Sequence, residues 1–392
     1  MQDIPRYTPP MEYRRFGKTN KMISVLTLGG MRFKKGFEEP REVIPDDTLE
    51  EVKETVNLAF ENGINHIETA YGYKKSEHAY GKALNELKID RETYFLMTKG
   101  APETARETRE LVDKQLKALQ TNYIDFYAWH GLNNWEQFNI ALEKDGPVDE
   151  LHKMKEEGIV KHVGFSTHAP YEIIIKAIET NKFEFVNLHY YYFFQRNIGA
   201  IALAQTRDMG VFIISPNDKG GKLFSPPGKL KNLTSPYSPM QWNGRFCLSN
   251  PAIHTLTVGM TTREYFDNMM GIFPTHVPMS KEDKRIWLEL EKQKFQDNYA
   301  HYEGYDLQYD PSGINIPEIL RMRLMWKCFD MDDFCSYRYN LFNPDHHWFQ
   351  GNYATPENLD KIDVSRFPEN IPVKELVREF HEKFYKDKGK NS

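Results

Sequence analysis

Ile64-Asn65-His66-Ile67-Glu68-Thr69-Ala70-Tyr71-Gly72-Tyr73, continued by Ser76 to Leu84, decides how this chain is read. It has the form of a short buried strand, a turn and a helix. Ile64 and Ile67 mark the strand, which ends on an acid, Glu68. Tyr73 follows on the loop. Ser76 takes the N-cap position, and Ala79, Tyr80, Ala83, Leu84 and Leu87 recur at helical spacing. An acid closing a strand and a tyrosine just beyond it are placed to share a site.

The same unit recurs along the chain. Met11 to Lys21 reads as an opening hairpin with its turn near Gly17, and Val25 to Leu28 as the first strand of the series. Later strands begin near Ile64, Tyr94, Tyr123, Val160, Phe183, Val211 and Ile253. The first intervening helix carries a stripe of Leu49, Val52, Val56, Ala59 and Phe60, with a capping box at Asp47 and Glu50 and a stop at Gly63. Leu111, Leu116 and Leu119 serve the third helix. Val148, Leu151 and Met154, stopped by Gly158, serve the fourth. Strands alternating with helices imply a parallel sheet, and eight of them imply an α/β fold of the closed (β/α)8 TIM-barrel type. An open doubly wound sheet is the alternative, but no G-x-G-x-x-G follows the first strand.

The barrel domain is expected over 11–275. Residues 276–392 differ, being rich in Tyr, Phe, Trp, Pro and Asn. Helical stretches are expected at Lys281 to Gln296, Ile316 to Cys328 and Val373 to Tyr385, and a frayed tail from Lys386. This segment reads as an appended C-terminal helical module.

Composition narrows the function classes. The 392 residues are 27% charged and 40% hydrophobic, as in ordinary globular proteins. The net charge is −5 with basic residues scattered, so no nucleic-acid surface is marked. No apolar run reaches transmembrane length, and Met1 to Pro10 is too polar for a signal peptide. Three cysteines, Cys247, Cys328 and Cys335, argue against a disulfide framework and point to a reducing, cytoplasmic setting.

In such barrels chemistry sits at the C-terminal strand ends. There the chain places Glu68 and Tyr73, Lys99, His130, Ser166 to His168, Asn187 with the run His189 to Tyr192, Ser215 to Asp218, and Gly259 to Thr261. Acid, tyrosine, lysine and histidine make chemical sense together. A tyrosine at its usual pKa is a poor acid near neutrality, and an adjacent ammonium lowers that pKa. A carboxylate compensates the buried ammonium, and a histidine can orient a carbonyl oxygen. The bland reading is a structural ion network at the rim. His66 is expected to point into a helix interface. The Tyr190 to Phe194 run has core roles for alternate members and a stacking role for one.

Over Tyr13 to Phe273 the sequence resembles the aldo-keto reductase superfamily. The likeness lies in Leu28-Gly29-Gly30-Met31, "HIETAYGYKKSEHAYGKAL", "MTKG", "DFYAWHG", "KHVGFSTH" and "ISPNDKGGKL". It implies hydride transfer between a nicotinamide cofactor and a small-molecule carbonyl or alcohol, with Glu68, Tyr73, Lys99 and His130 as the catalytic tetrad. It also implies cofactor contacts at Gly30 and Met31, at Ser166 and Asn187 for the carboxamide, and at Ser215 and Asn217. Lys219, Gly220 and Gly221 match the pyrophosphate region, with Lys222 closing that loop, and Met260 and Thr261 the adenosine end. Lys219 to Lys222 could be only a turn, but two glycines flanked by lysines can form a backbone nest for an anion, and phosphate contact is the favoured reading.

The departures are specific. The family acid is usually aspartate, and Glu68 is one methylene longer. Ile214 stands where an aromatic usually stacks on nicotinamide, with Tyr190 to Tyr192 as the stand-in. The adenine-contacting asparagine falls near Asn268 or Met269. Arg263 is the nearby base for a 2′-phosphate, which points to NADPH over NADH.

The fragments "GINIPEILRMR" and "YRYNLFNPDHHWFQGN" resemble the subgroup that carries a ferredoxin-like extension. A cubane cluster needs four thiolates, and Cys328 and Cys335 are two, so no iron–sulfur cluster is expected. A zinc site from these cysteines with His346 and His347 has the wrong spacing. Two other functions stay open: a cofactor-binding sensor or interaction protein with little turnover, and a different (β/α)8 enzyme such as a hydrolase. Gly131 to Val148 and Lys222 to Phe246, with Trp135, Tyr237 and Trp242, are expected as aromatic pocket loops. Oligomeric state is not legible.

Overall fold

A computed structural model describes residues 11–304 and 310–386. Met1 to Pro10, and the tail beyond Lys386, lie outside the described residues. An antiparallel hairpin, β1 (Tyr13–Arg15) and β2 (Met22–Ser24), precedes the barrel. Eight parallel strands follow: β3 (Leu26–Gly29), β4 (His66–Glu68), β5 (Phe95–Gly100), β6 (Ile124–His130), β7 (Val160–Ser166), β8 (Phe185–Leu188), β9 (Gly210–Ile213) and β10 (Thr255–Val258). They pair in chain order, and β10 returns to β3 to close the barrel. All eight lie where the sequence pattern puts them.

Strand parity decides which side chains enter the barrel. Met97, Phe126, Ala128, Phe185 and Phe212 form a buried interior cluster with Phe16 of the hairpin. Phe16 packs against Phe126 at 5.2 Å and Phe185 at 5.6 Å. It meets the N-terminal end of β9, where a Cβ on Gly210 would lie 2.5 Å from its ring. The N-terminal mouth is therefore filled with apolar rings. Residues two apart on a strand share a face, so Lys99, His130 and Asn187 stand on the interior face, above that cluster.

His66 breaks an expectation. It faces the barrel interior, not a helix interface, because β4 is regular and His66 shares the face of Glu68. Its ring meets Phe126 and Phe212, and its Nδ1 lies 3.1 Å from Thr27 Oγ1. Burial, then the Lys99 charge, lowers its pKa to about 3, so the imidazole is neutral.

Two caps also differ. The first helix, Asp46–Glu61, starts after Pro45 with no side-chain cap, and Asp47 instead pairs with Lys35 at 2.9 Å. Ser76 is the first residue of helix Ser76–Glu86 and not its cap, since its hydroxyl accepts from Thr69 Oγ1 at 2.7 Å. The expected pocket loops contain helices Trp135–Leu142, Gly228–Thr234 and Pro239–Leu248. Trp135–Leu142 is a short helix of 8 residues that buries only Ala141.

Contacts divide the chain into two compact units that do not follow chain order. One holds the chain up to Tyr191, Asn197–Pro216 and Asn243–Pro278. The other holds Tyr192–Arg196, Asn217–Trp242 and the chain from Met279 on. The second unit is helical. Its central helix Ile316–Phe329 is almost wholly buried and packs with Asp332–Tyr339 and Val373–Phe384. The face of Val373, Leu376, Val377, Phe380 and Phe384 is buried as its spacing predicts. Rings meet across this core, Trp326 with Phe384 at 5.2 Å and Tyr339 with Phe380 at 5.3 Å. Trp242 lies inside this unit at 2% exposure, its indole N–H donating to Asp283 O, so it does not line a substrate loop.

Candidate active site

Three strands and one turn bring the acid, lysine, tyrosine and histidine together. Glu68 ends β4 and Lys99 stands near the end of β5. Their side chains are 3% and 1% exposed and form an ion pair through Glu68 Oε1. Lys99 Nζ also donates to Thr69 O at 2.8 Å. Burial pulls the Lys99 pKa well below its ordinary value. The Glu68 carboxylate is the counter-ion that a buried ammonium requires.

The longer acid has room because of β3 and β10. Thr257 Oγ1 donates to Glu68 Oε2 at 3.1 Å. A Cβ on Gly29 would lie 2.7 Å from Thr257 Oγ1 and 3.4 Å from Glu68 Oε2. Gly29 and Thr257 together thus accommodate and orient the glutamate. Neither was singled out as a site residue, because β10 reaches Glu68 only through barrel closure.

Tyr73 ends the 3-10 turn Tyr71–Tyr73. Its hydroxyl lies 3.4 Å from Glu68 Oε1, long for an O–H···O bond. Lys99 Nζ sits 4.7 Å from the ring centroid of Tyr73, so the ammonium faces the π surface. His130, ending β6, meets the same ring edge-on at 5.9 Å. Burial raises the Tyr73 pKa, and no lowering by Lys99 outweighs it. The expectation that Lys99 depresses this pKa is therefore not met. The phenol is held protonated.

Ser166 and Asn187 end neighbouring strands and pair in register. Asn187 is fully buried, with Nδ2 on Met97 Sδ at 3.2 Å and Oδ1 without a hydrogen-bond partner among the described residues. Ser166 Oγ accepts from Gly131 N–H at 3.2 Å, which leaves its O–H to donate. A buried acceptor beside a hydroxyl donor complements a primary carboxamide, so these residues fit a nicotinamide.

Other predicted contacts fall as follows. Gly30 is a packing requirement, since a Cβ there would lie 2.3 Å from Ser76 Oγ and 2.4 Å from the Tyr80 ring. Met31 is exposed and Met260 fully buried. Ser215 takes a left-handed backbone, φ 51°. Asn217, Lys219, Gly220 and Gly221 belong to the helical unit. Ile214 packs against the interior cluster. Tyr190 stacks on Phe246, Tyr191 bonds His189, and Tyr192 donates to Glu291, so all three have partners within the protein. Arg263 pairs with Asp267 at 3.5 Å on an exposed face.

A buried carboxyl behind the lysine strand was missed by sequence reading. Glu77 Oε1 accepts from Thr98 Oγ1 and Gln115 Nε2, both at 2.6 Å. Gln115 also donates to Lys99 O at 3.1 Å and accepts from Tyr127 OH at 2.9 Å. Burial raises the Glu77 pKa from 4.5 to about 7, against its two hydrogen bonds. Between those values the folded chain holds a proton that the unfolded chain has lost, so stability falls as pH rises through the window, by up to about 3 kcal/mol. Glu77→Gln keeps both acceptor bonds and should flatten that decline. Urea midpoints at pH 5 and pH 8 check it, the variant gaining on the wild type only at pH 8.

The cysteines do not fit a cluster. Cys328 and Cys335 are buried, and Cys335 Sγ donates to Met322 O at 3.1 Å. Burial raises both thiols, Cys328 to about 11, which opposes the thiolate form a cluster needs. Among the described residues no three His, Cys, Asp or Glu side chains are grouped to hold a metal.

Comparison with known proteins agrees with this barrel. The model of the aldo/keto reductase family matches residues 25–223, just over half of the 392. The chain belongs to the aldo/keto reductase family. Over 153 residues it is 33% identical to D-arabinose 1-dehydrogenase of Saccharomyces cerevisiae, covering 37% of this chain and 43% of that protein. Over 145 residues it is 32% identical to methylglyoxal reductase DkgA of Escherichia coli K12, covering 36% and 50%. The chain thus spans about half the length of these curated relatives. An aldo-keto reductase from Bacillus halodurans in its holo form superposes with a TM-score of 0.58 at 20% identity, over 71% of this chain and 96% of that one, which shows the shared fold. Among the described residues no helix is long and apolar enough to cross a membrane.

Proposed function

We propose that this chain is an NAD(P)H-dependent reductase of small carbonyl compounds, with Tyr73 as general acid. The observation that carries this reading is the convergence of Glu68, Lys99, Tyr73 and His130 at the C-terminal mouth of a family barrel. A bound nicotinamide supplies the hydride. Asn187 and Ser166 would hold its carboxamide. Gly30, Met31, Ser215, Asn217, Lys219, Gly220, Gly221, Met260 and Thr261 complete the contact set that the family likeness implies, and Arg263 would favour NADPH.

Tyr73 gives its hydroxyl proton to the carbonyl oxygen. The alkoxide that develops there is a stronger base than a phenolate, so a phenol above its usual pKa still delivers the proton. His130 orients the carbonyl, and Lys99, neutralised by Glu68, sets the field at the ring. In this reading 11–275 is the catalytic domain, 276–392 is a degenerate ferredoxin-like extension without a cluster, and the protein works in the cytoplasm. A cofactor-binding sensor with little turnover is the second reading. It is favoured by Lys99 Nζ lying over the ring face of Tyr73, 4.7 Å from its centroid.

The test is a titration with NADPH and NADH followed by tryptophan quenching, then methylglyoxal and D-arabinose as first members of a carbonyl and sugar panel. Binding with cofactor consumption supports the reductase. Binding without consumption supports the sensor, and absence of binding rejects both. Ser166→Ala and Asn187→Ala should each raise the cofactor Kd about tenfold, the worth of one hydrogen bond of ~1.4 kcal/mol. An unchanged Kd in both variants would remove these residues from the cofactor site.

A further inference from the structure

The segment Asn217 to Leu223 is a tight backbone loop inside the helical unit. Lys222 N–H donates to Asp218 O at 2.8 Å and Leu223 N–H to Asn217 O at 2.7 Å. Its backbone is unusual, with Gly221 at φ +127°, a region open mainly to glycine, and Lys222 at φ +50° in the left-handed region.

Beyond its own hydrogen bonds, the loop is held by residues more than a hundred positions later in the chain. Arg321, in helix Ile316–Phe329, is 4% exposed and donates to Lys219 O at 3.3 Å and Phe193 O at 3.4 Å. Its guanidinium is fixed from behind by a two-pronged pair with Glu318, at 2.9 and 2.7 Å. Arg338 donates to the same carboxylate at 3.2 Å. Burial alone would raise the Glu318 pKa, but Arg321 and Arg338 hold it far below the ordinary range. The arginine is thus locked before it reaches the loop. Beside it the methyls of Met331 and Met325 fill the space over Gly221, where a Cβ would lie 2.1 and 3.0 Å from them. Lys222 Nζ lies 3.7 Å above the ring of Tyr337.

We infer that the helices from Ile316 to Tyr339 are a clamp that holds the Asn217 to Leu223 loop in the form that receives the diphosphate of a dinucleotide. Arg321, Met331 and Tyr337 are positioning residues that act through the loop. This rests on the proposed cofactor role of Lys219, Gly220 and Gly221, and it gives the extension a task that needs no cluster. Packing the unit's core would not by itself require a buried, charge-locked arginine on a loop carbonyl or a lysine placed over an exposed tyrosine ring.

The test compares wild type with Arg321→Lys and with Tyr337→Ala, the latter at a residue that is 45% exposed and so outside the packed core. Two readouts are taken on the full chain, amide exchange of residues 217–223 and affinity for NADPH and for ADP-ribose, which carries the diphosphate without nicotinamide. The clamp predicts faster exchange across the loop in both variants. It predicts a five- to tenfold weaker Kd for both ligands and a matching rise in cofactor KM, with kcat at saturation unchanged. Wild-type exchange and affinity in both variants would overturn it, as would faster exchange with unchanged affinity. If wild type binds neither ligand, the cofactor reading fails, and unchanged exchange in both variants would still overturn the clamp on its own.

Discussion

Tyr73→Phe should lower carbonyl reduction by about a hundred- to ten-thousand-fold, the usual contribution of a positioned general acid. The phenylalanine keeps the ring against His130 and under Lys99, so packing and cofactor Kd should stay as they are. The hydroxyl makes one long contact with Glu68, and its loss costs little stability. Because burial raises the Tyr73 pKa, the phenol is protonated at every pH below its ordinary value near 10 and somewhat beyond. The acid form is the donor, so reductive turnover should show no loss from Tyr73 between about pH 6 and 9. Steady-state rates with cofactor and carbonyl at saturation measure both. Full activity in the phenylalanine variant would reject the assignment, and an alkaline fall in that window would mean that the bound state restores the lowering by Lys99.

Lys99→Met should be the most destabilising single change at the site. It leaves the Glu68 carboxylate 3% exposed with Thr257 and Tyr73 as its neighbours and no cation. Breaking a buried pair from one side costs about 3–5 kcal/mol. Glu68→Gln combined with Lys99→Met removes both charges and keeps an acceptor for Thr257, so it should recover most of that loss. Urea unfolding midpoints of the single and double variants measure the recovery. Neither should reduce carbonyls, since the double variant restores packing without restoring the field at the Tyr73 ring. A double variant no more stable than Lys99→Met would show that the lysine's methylenes, and not its charge, carry the effect.

Each strand's place and the residue at its end were legible because both are local. Short apolar runs bounded by glycine and polar residues announce a strand, and the strand's last polar residue announces the mouth. Glu68, Lys99, His130, Ser166 and Asn187 were found that way. The loop helix Trp135–Leu142 was not, because its 8 residues span only about two turns, too few for a period to stand out.

Side-chain direction and partner choice were settled only by tertiary structure. His66 turned inward because a regular β4 gives it the face of Glu68, a parity that three residues of sequence cannot reveal. Thr257 reaches Glu68 across 189 residues because the barrel closes β10 onto β3, and Arg321 meets Lys219 across 102. The Glu77 carboxyl draws partners from β5 and from helix Ala105–Leu119, and burial there, not residue type, moves its pKa. Local pattern follows from chain chemistry over a few residues. Burial, pairing and charge state follow from which distant segments the fold brings to the same few ångströms.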